Sequence, residues 1–273
     1  MASSITAENL RKAYGKKEVL RGVSFCIEQG ETFALLGVNG AGKTTTIEII
    51  ENMRRADSGG VTVNGILGVQ LQSTSLPETI TSSEAMRLFC AWHKVPYRGD
   101  LLERFDMAGE YLNMIYAALS TGRKRRLHLA LALCHNPSIL ILDEPTAGLD
   151  VEGRHALHDE IRKLKSEGVS ILMATHDMSE AETLCDRIAI LRGGVITKLG
   201  SPLELTASSD IQSKITVKTR GSAEYKTFSA INTADFLTEF LLKVKAENDE
   251  ITDLRVERAD IEDIFLEAAG GAK

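Results

Sequence analysis

Residues 37–44 read GVNGAGKT, directly after the apolar run FALL and directly before a segment of helical character from about Lys43 to Asn52. The spacing G-x-x-x-x-G-K-[ST] restricts this chain more tightly than any other feature. It is chemically useful only where a strand turns into a helix. Gly37, Gly40 and Gly42 let the backbone turn tightly and aim its N–H groups at phosphate oxygens. Lys43 can reach the β- and γ-phosphates, and Thr44 offers a hydroxyl to Mg²⁺. The following helix adds its positive end. Asn39, Ala41 and Thr45 complete the cradle. The expectation is a nucleoside triphosphate site built on an α/β sheet.

A second strand supports that expectation. SILILDE at 138–144 is a continuous apolar run ending in two acids, as expected of a strand buried on both faces. Asp143 and Glu144 then sit at a strand end, where an open α/β sheet binds its ligand. Asp143 suits Mg²⁺, and Glu144 suits activation of the attacking water. Further strands are expected at Ile5–Leu10, Val23–Glu28, Thr32–Gly37, Gly60–Val63 and Ser170–Ala174. A hairpin at Arg187–Leu191 and Val195–Leu199 turns on Gly193-Gly194. Helices are expected at Thr81–Lys94, from Ser120 to about Leu133, at Val151–Glu167 and at Met178–Cys185, with irregular helix over 100–113. This alternation implies a mostly parallel sheet with helices on both faces. After about Pro202 the texture changes. The linker is expected at Ala207-Ser208-Ser209, followed by a small α/β appendage with strands at Ile215–Thr219 and Ile251–Val256 and helices at Ala234–Ala246 and Ile261–Ala269.

Composition removes other classes. Apolar residues make 43% and charged residues 26% of the 273 positions, which excludes a disordered chain. The 32 basic and 38 acidic residues leave a net charge of −6, so no chain-wide surface for nucleic acid is expected. No apolar run approaches the roughly 18 residues of a spanning helix. The opening MASSITAENL lacks a charged-then-apolar signal segment. Cys26, Cys90, Cys134 and Cys185 are widely spaced, without CxxC. They read as ordinary buried thiols of a reducing compartment, and not as a zinc ribbon or disulfide framework.

The run LSTGRKRRLHLALALCHNPSILILDEPTAGLD at 119–150, taken with the glycine-rich loop, GVQLQ at 68–72 and ATH at 174–176, resembles the ATP-binding cassette (ABC) family over roughly residues 4–205. The resemblance implies a P-loop NTPase cassette: a mostly parallel core sheet, an antiparallel β subdomain and a helical subdomain at about 73–133. It places an ABC ATPase domain at 1–205 and a C-terminal accessory region at 206–273. It implies an ATP-hydrolysing transporter subunit that uses ATP and Mg²⁺. Residue by residue, Tyr14 is similar to the aromatic that stacks on adenine. Gln72 resembles the loop glutamine near Mg²⁺ and the attacking water, with Gln70 two residues away as the alternative. Ser120 and Gly122 resemble the signature that closes on the γ-phosphate of a second cassette, and Leu149 and Asp150 the loop across that interface. His176 resembles the histidine that bonds the γ-phosphate. The implied partners are integral membrane permease subunits and a second cassette. The implied location is cytoplasmic, peripheral on the inner face of the membrane. The ending RADIEDIFLEAAGG resembles the branch that exports drugs, lipids or polysaccharides.

The chain also departs from the family pattern. Its signature is LSTGR where LSGGQ is usual, and the stretches 65–72 and 97–101 are short. Arg123–Arg126 reads as a solvated helix face, and so do His155 and His158, three apart on one helix. Leu127, Ala130, Leu131 and Cys134 form a core stripe. The competing readings are a soluble ABC ATPase of translation or DNA maintenance and a P-loop kinase. The first is disfavoured because Thr44 to Ser120 is too short for a long coiled coil and there is one cassette. The second gives no reason for LSTG and DEPTAGLD together.

Overall fold

The computed structural model describes residues 2–70, 76–207, 213–221, 224–230, 232–257 and 261–270. The chain divides into two compact units, Met1–Leu199 and Gly200–Lys273. The first unit opens with β1 (Ser3–Tyr14), β2 (Lys17–Glu28), β3 (Thr32–Leu36) and α1 (Lys43–Ile50). It continues with β4 (Ser58–Val63), β5 (Leu67–Gln70), α2 (Ser82–Trp92), α3 (Gly99–Arg104), two short 3₁₀ turns and α4 (Thr121–Ala132). Then follow β6 (Ile139–Asp143), α5 (Val151–Ser166), β7 (Ser170–Thr175), α6 (Met178–Leu184), β8 (Arg187–Arg192) and β9 (Val195–Gly200).

The central sheet has six strands in the order β5-β6-β7-β3-β8-β9. β5, β6, β7, β3 and β8 run parallel. Every residue of β3, β6 and β7 is buried, as their unbroken apolar runs require. The register aligns the strand ends: Gln70 pairs with Leu142, Asp143 with Ala174, and Leu36 with Thr175. The C-terminal edge of four adjacent strands therefore carries Gln70, Asp143, Thr175 and the turn into Gly37. β8 and β9 are joined by Gly193 and Gly194, both at positive φ (55° and 82°), a conformation that glycine adopts without a Cβ penalty.

A second, antiparallel sheet, β2-β1-β4, packs its inward residues Ile5, Leu10, Leu20, Val23 and Ile27 into the same core as α1. β1 and β2 are longer than the sequence suggests, twelve residues each, and meet at Gly15. Their distal halves carry Arg11, Lys12, Glu18 and Arg21, and that charge hides the alternation. β5 also escaped notice: LGVQ is four residues and contains a glycine. On α2, Thr81 accepts from Glu84 N while Glu84 returns a carboxylate to Thr81 N, a full capping box.

The second unit begins with α7 (Pro202–Ala207), so a helix stands where a linker was expected to start; Ser208 and Ser209 lie outside the described residues. Strands β10 (Ser213–Thr219), β11 (Lys226–Ala230) and β12 (Ile251–Glu257) form an antiparallel sheet in the order β11-β10-β12. α8 (Thr233–Ala246) sets Phe236 and Phe240 each within 5.8 Å of the other and 5.2 Å of Phe228 on β11. β11 was not expected because Phe228 is its one large apolar residue. α9 (Ile261–Gly270) buries Ile261, Ile264 and Phe265.

Candidate active site

The glycine-rich loop connects β3 to α1. Gly42 is the N-cap of α1 at φ 115°, and no side chain caps that helix. By contrast Thr81, Ser120, Asp150 and Asp177 each cap their helix with a side-chain oxygen. The first N–H groups of α1 are thereby left for an external acceptor, with the positive end of the helix behind them. A Cβ at Gly42 would lie 2.7 Å from Leu20 Cδ2 and 3.2 Å from the Val19 carbonyl, so the loop owes its course to close packing on β2.

Behind the loop lies a chain of charged contacts. Lys43 is 6% exposed; its Nζ donates to the Gly37 carbonyl at 2.6 Å and stands 3.2 Å from Glu144 Oε1. His176 Nδ1 donates to the other oxygen of Glu144 at 2.6 Å. Thr44 Oγ1 donates to Asp143 Oδ2 at 3.4 Å. Asp143 and Glu144 are both buried, whereas the His176 side chain is 59% exposed. Burial first, then the neighbouring Glu144 charge, push the Asp143 carboxyl above its ordinary range. Asp143 Oδ1 is buried without a hydrogen-bond partner among the described residues. Glu144 adopts φ 49°, an uncommon conformation for a residue with a Cβ; its N–H is held by the Ala174 carbonyl at 2.8 Å. The open face of this constellation is a groove of ≈ 190 Å³ lined by Lys17, Val19, Val38, Asn39, Gly40, Gly42, Lys43, Thr44, Thr45 and Glu144.

The fold thus brings together Gly37, Asn39, Gly40, Gly42, Lys43, Thr44, Thr45, Asp143, Glu144 and His176; Ala41 is packed beneath the loop in the core. Other expected residues stand apart. Tyr14 ends β1, is 42% exposed and has the Arg54 guanidinium 5.1 Å over its ring. Ser120 Oγ accepts from Arg123 N at 3.3 Å and Asp150 Oδ1 from Gly153 N at 2.8 Å, so both serve first as caps of α4 and α5. Gly122, Leu149 and Gly153 line a different, smaller cavity with Arg104 and Glu160. Gln72 lies outside the described residues, and Gln70 is buried at the end of β5.

Several residues gained a role that the sequence did not suggest. Lys17 and Val19 reach the groove because β2 borders the loop. Arg123–Arg126 is not a solvated face. Arg123 stacks 4.0 Å over Tyr111, Arg126 pairs with Asp106, and Arg125 is half-buried among the charges of Asp143 and Glu144. His158 is likewise buried, with Nε2 3.5 Å from Glu180 Oε1, because α5 turns that face onto α6; His155 stays exposed. Burial pulls the His158 imidazole below its usual value and pushes the Glu180 carboxyl above its own. Glu180 Oε2 accepts from Thr175 Oγ1 at 2.7 Å, which fixes the strand end just before His176.

A family profile described as "ABC transporter" matches residues 20–147. The linearmycin resistance ATP-binding protein LnrL of Bacillus subtilis (strain 168) is 30% identical over 306 positions, covering 97% of this chain and 98% of that protein. The Nod factor export ATP-binding protein I of Ralstonia nicotianae is 37% identical over 218 positions, 74% of this chain and 68% of that one. A solved ATP-binding subunit of an ABC transporter is 28% identical with a TM-score of 0.69, covering 74% of this chain and 92% of its own. A dimeric cassette in a post-hydrolysis state bound to ADP and Pi, 23% identical, shares the fold at a TM-score of 0.67. With the loop, the paired acids and the histidine in one groove, these likenesses settle the family: the chain belongs to the ATP-binding proteins of ABC transporters, and it is a nucleotide-binding, ATP-hydrolysing subunit.

Proposed function

We propose that the chain drives export across a membrane, as the name of the Nod factor export relatives describes for them, by closing on a second cassette around ATP and transmitting that motion to membrane-spanning permease subunits. Among the described residues no helix is long and apolar enough to cross a membrane; in this reading permease subunits supply the spanning part. The reading rests above all on the Lys43–Glu144–His176 contact chain at the mouth of the uncapped α1. Its location is the inner face of the membrane, held there by the permease.

In this reading the backbone N–H groups of residues 39–45 and Lys43 bind the β- and γ-phosphates, and Tyr14 stacks on the adenine. The donor set fits Mg²⁺. The orphaned buried oxygen of Asp143 and the Thr44 hydroxyl beside it are hard oxygen ligands of the kind this ion takes, and Gln72 is assigned to the same ion. Mg²⁺ bound there supplies charge neutralisation of the phosphates. When Lys43 turns from Glu144 to the phosphates, Glu144 is freed to accept a proton from the attacking water. His176, exposed and hinged on Glu144, orients that water or the γ-phosphate. Ser120, Gly122 and Asp150 serve the ATP held by the second cassette. Thr121 and Arg123 replace the usual small and neutral residues there, so any tuning falls on the site this chain completes for its partner.

The test is affinity capture of the tagged chain from detergent-solubilised membranes of its native cell, with partners identified by mass spectrometry. A stoichiometric multi-spanning protein is expected. Recovery from the soluble fraction with ribosomes or nucleic acid refutes the transport role.

A further inference from the structure

Helices α2 and α4 end side by side, and their ends gather a set of soft ligands that the nucleotide site does not use. α2 closes with Cys90, buried, and His93, its exposed C-cap residue. Just past the C-cap of α4 come Cys134, fully buried, and His135, half-buried. One ligand atom from each of His93, Cys134 and His135 falls within 4.8 Å of the others. Cys134 Sγ is 3.8 Å from His135 Nδ1.

The orientation of His135 is fixed in the way a ligating histidine requires. Its Nε2 donates to the Leu67 carbonyl at 2.8 Å, at the start of β5. That bond places the proton on Nε2 and leaves the lone pair on Nδ1, the nitrogen that faces Cys134. The His93 ring stacks on His135 with centroids 3.9 Å apart and planes within 3°. Ligation requires His93 to turn out of that stack, and its exposure gives it room. The cluster lies at the C-terminal ends of α2 and α4, where the helix dipoles favour a cation. Arg98, beside Cys134, is matched by Asp100 at 2.8–3.1 Å and by Asn136 Oδ1 at 2.6 Å. Its charge is therefore answered locally.

We propose that His93, Cys134 and His135 form a three-ligand site for a divalent transition-metal ion of the zinc class, with water in the fourth position. A thiolate and two imidazoles suit such an ion and disfavour Mg²⁺, which takes oxygen. On binding, the Cys134 thiol releases its proton to solvent, the two imidazoles bind as neutral ligands, and the ion sheds all but one water; no electron moves. The ion would pin α2 and α4 to the start of β5, the strand that leads to Gln72.

The full chain, reduced with a phosphine and free of nucleotide and Mg²⁺, is titrated with Co²⁺ and followed by absorption, then back-titrated with Zn²⁺. Expected is saturation at a single ion per chain, with a thiolate-to-metal charge-transfer band, strong tetrahedral d–d bands and displacement by Zn²⁺. His93→Ala and Cys134→Ser should each weaken Co²⁺ by at least the about 10–100-fold that loss of an outer ligand partner costs. Zn²⁺ should also raise the thermal midpoint of the parent and not of His93→Ala, a surface change that leaves the core intact. Co²⁺ bound only in a pale six-coordinate form, no stoichiometric binding, or variants that bind like the parent would overturn the site.

Discussion

Glu51 makes a specific contribution to how stability responds to pH. It follows α1 as the C-cap residue, and both of its carboxylate oxygens are buried without a hydrogen-bond partner among the described residues. Burial first, then the charges of Asp143 and Glu48, push its carboxyl from 4.5 to about 7. The folded state therefore holds this proton more tightly than the unfolded one. The protonated form supports folding fully below pH 4.5, and that support is lost as pH rises to about 7. A displacement of that size corresponds to about 3 kcal/mol. Glu51 is only partly buried and water screens its charge, so about 1–1.5 kcal/mol is the expected effect. Glu51→Gln keeps the shape and removes the charge. Between pH 5 and pH 8 the variant should gain about 1–1.5 kcal/mol on the parent, read as a gain of about 3–5 °C in midpoint for a unit of this size. Thermal melts of nucleotide-free, Mg²⁺-free protein at both pH values decide the matter. An identical offset at the two pH values means that Glu51 carries no displaced proton, and the reasoning fails.

Glu144→Gln should retain ATP binding while single-turnover hydrolysis slows by about 10²–10⁴-fold; near-normal turnover would remove the base assignment. Lys43→Met strands Glu144 as a buried charge and should cost about 3 kcal/mol in urea unfolding, with much of it recovered in Lys43→Met/Glu144→Gln; no recovery means the two groups are not coupled. Gly42→Ala places a methyl 2.7 Å from Leu20 Cδ2 at φ 115°, so nucleotide affinity and stability should fall together, and an unaffected protein would show that the loop has slack. Tyr14→Ala should weaken ATP by about 1–3 kcal/mol in calorimetry, the usual worth of one base stacked on an aromatic ring, and an equal affinity would leave Tyr14 a strand residue alone.

The nucleotide loop was legible because its chemistry is local: eight consecutive residues carry it, and the flanking strand and helix declare themselves by composition. The acids at the end of β6 were legible for the same reason. The contact between Lys43 and Glu144 was not, since it depends on the order β6-β7-β3, which a linear pattern does not state. The basic run at 123–126 misled because charge was taken as a sign of solvent. Tyr111 and Asp106, which neutralise and cover it, come from the preceding irregular segment. β5 and β11 were missed because each offers little apolar material, and both are specified by the neighbour they pair with. Cys134 shows the limit most plainly. By spacing it is one core position on an apolar stripe, and only the adjacent ends of α2 and α4 bring Cys90 and His93 to it.

The hydrogen bond and ion pair that hold Glu144 between His176 and Lys43 also act as a safety catch. Held by Lys43 and His176, the Glu144 carboxylate is occupied on both oxygens, and Lys43 has its charge answered from within. In the proposed mechanism triphosphate competes for Lys43 and so frees Glu144 to take a proton from the attacking water. Fuel recognition and the arming of the catalyst become one exchange of ion partners.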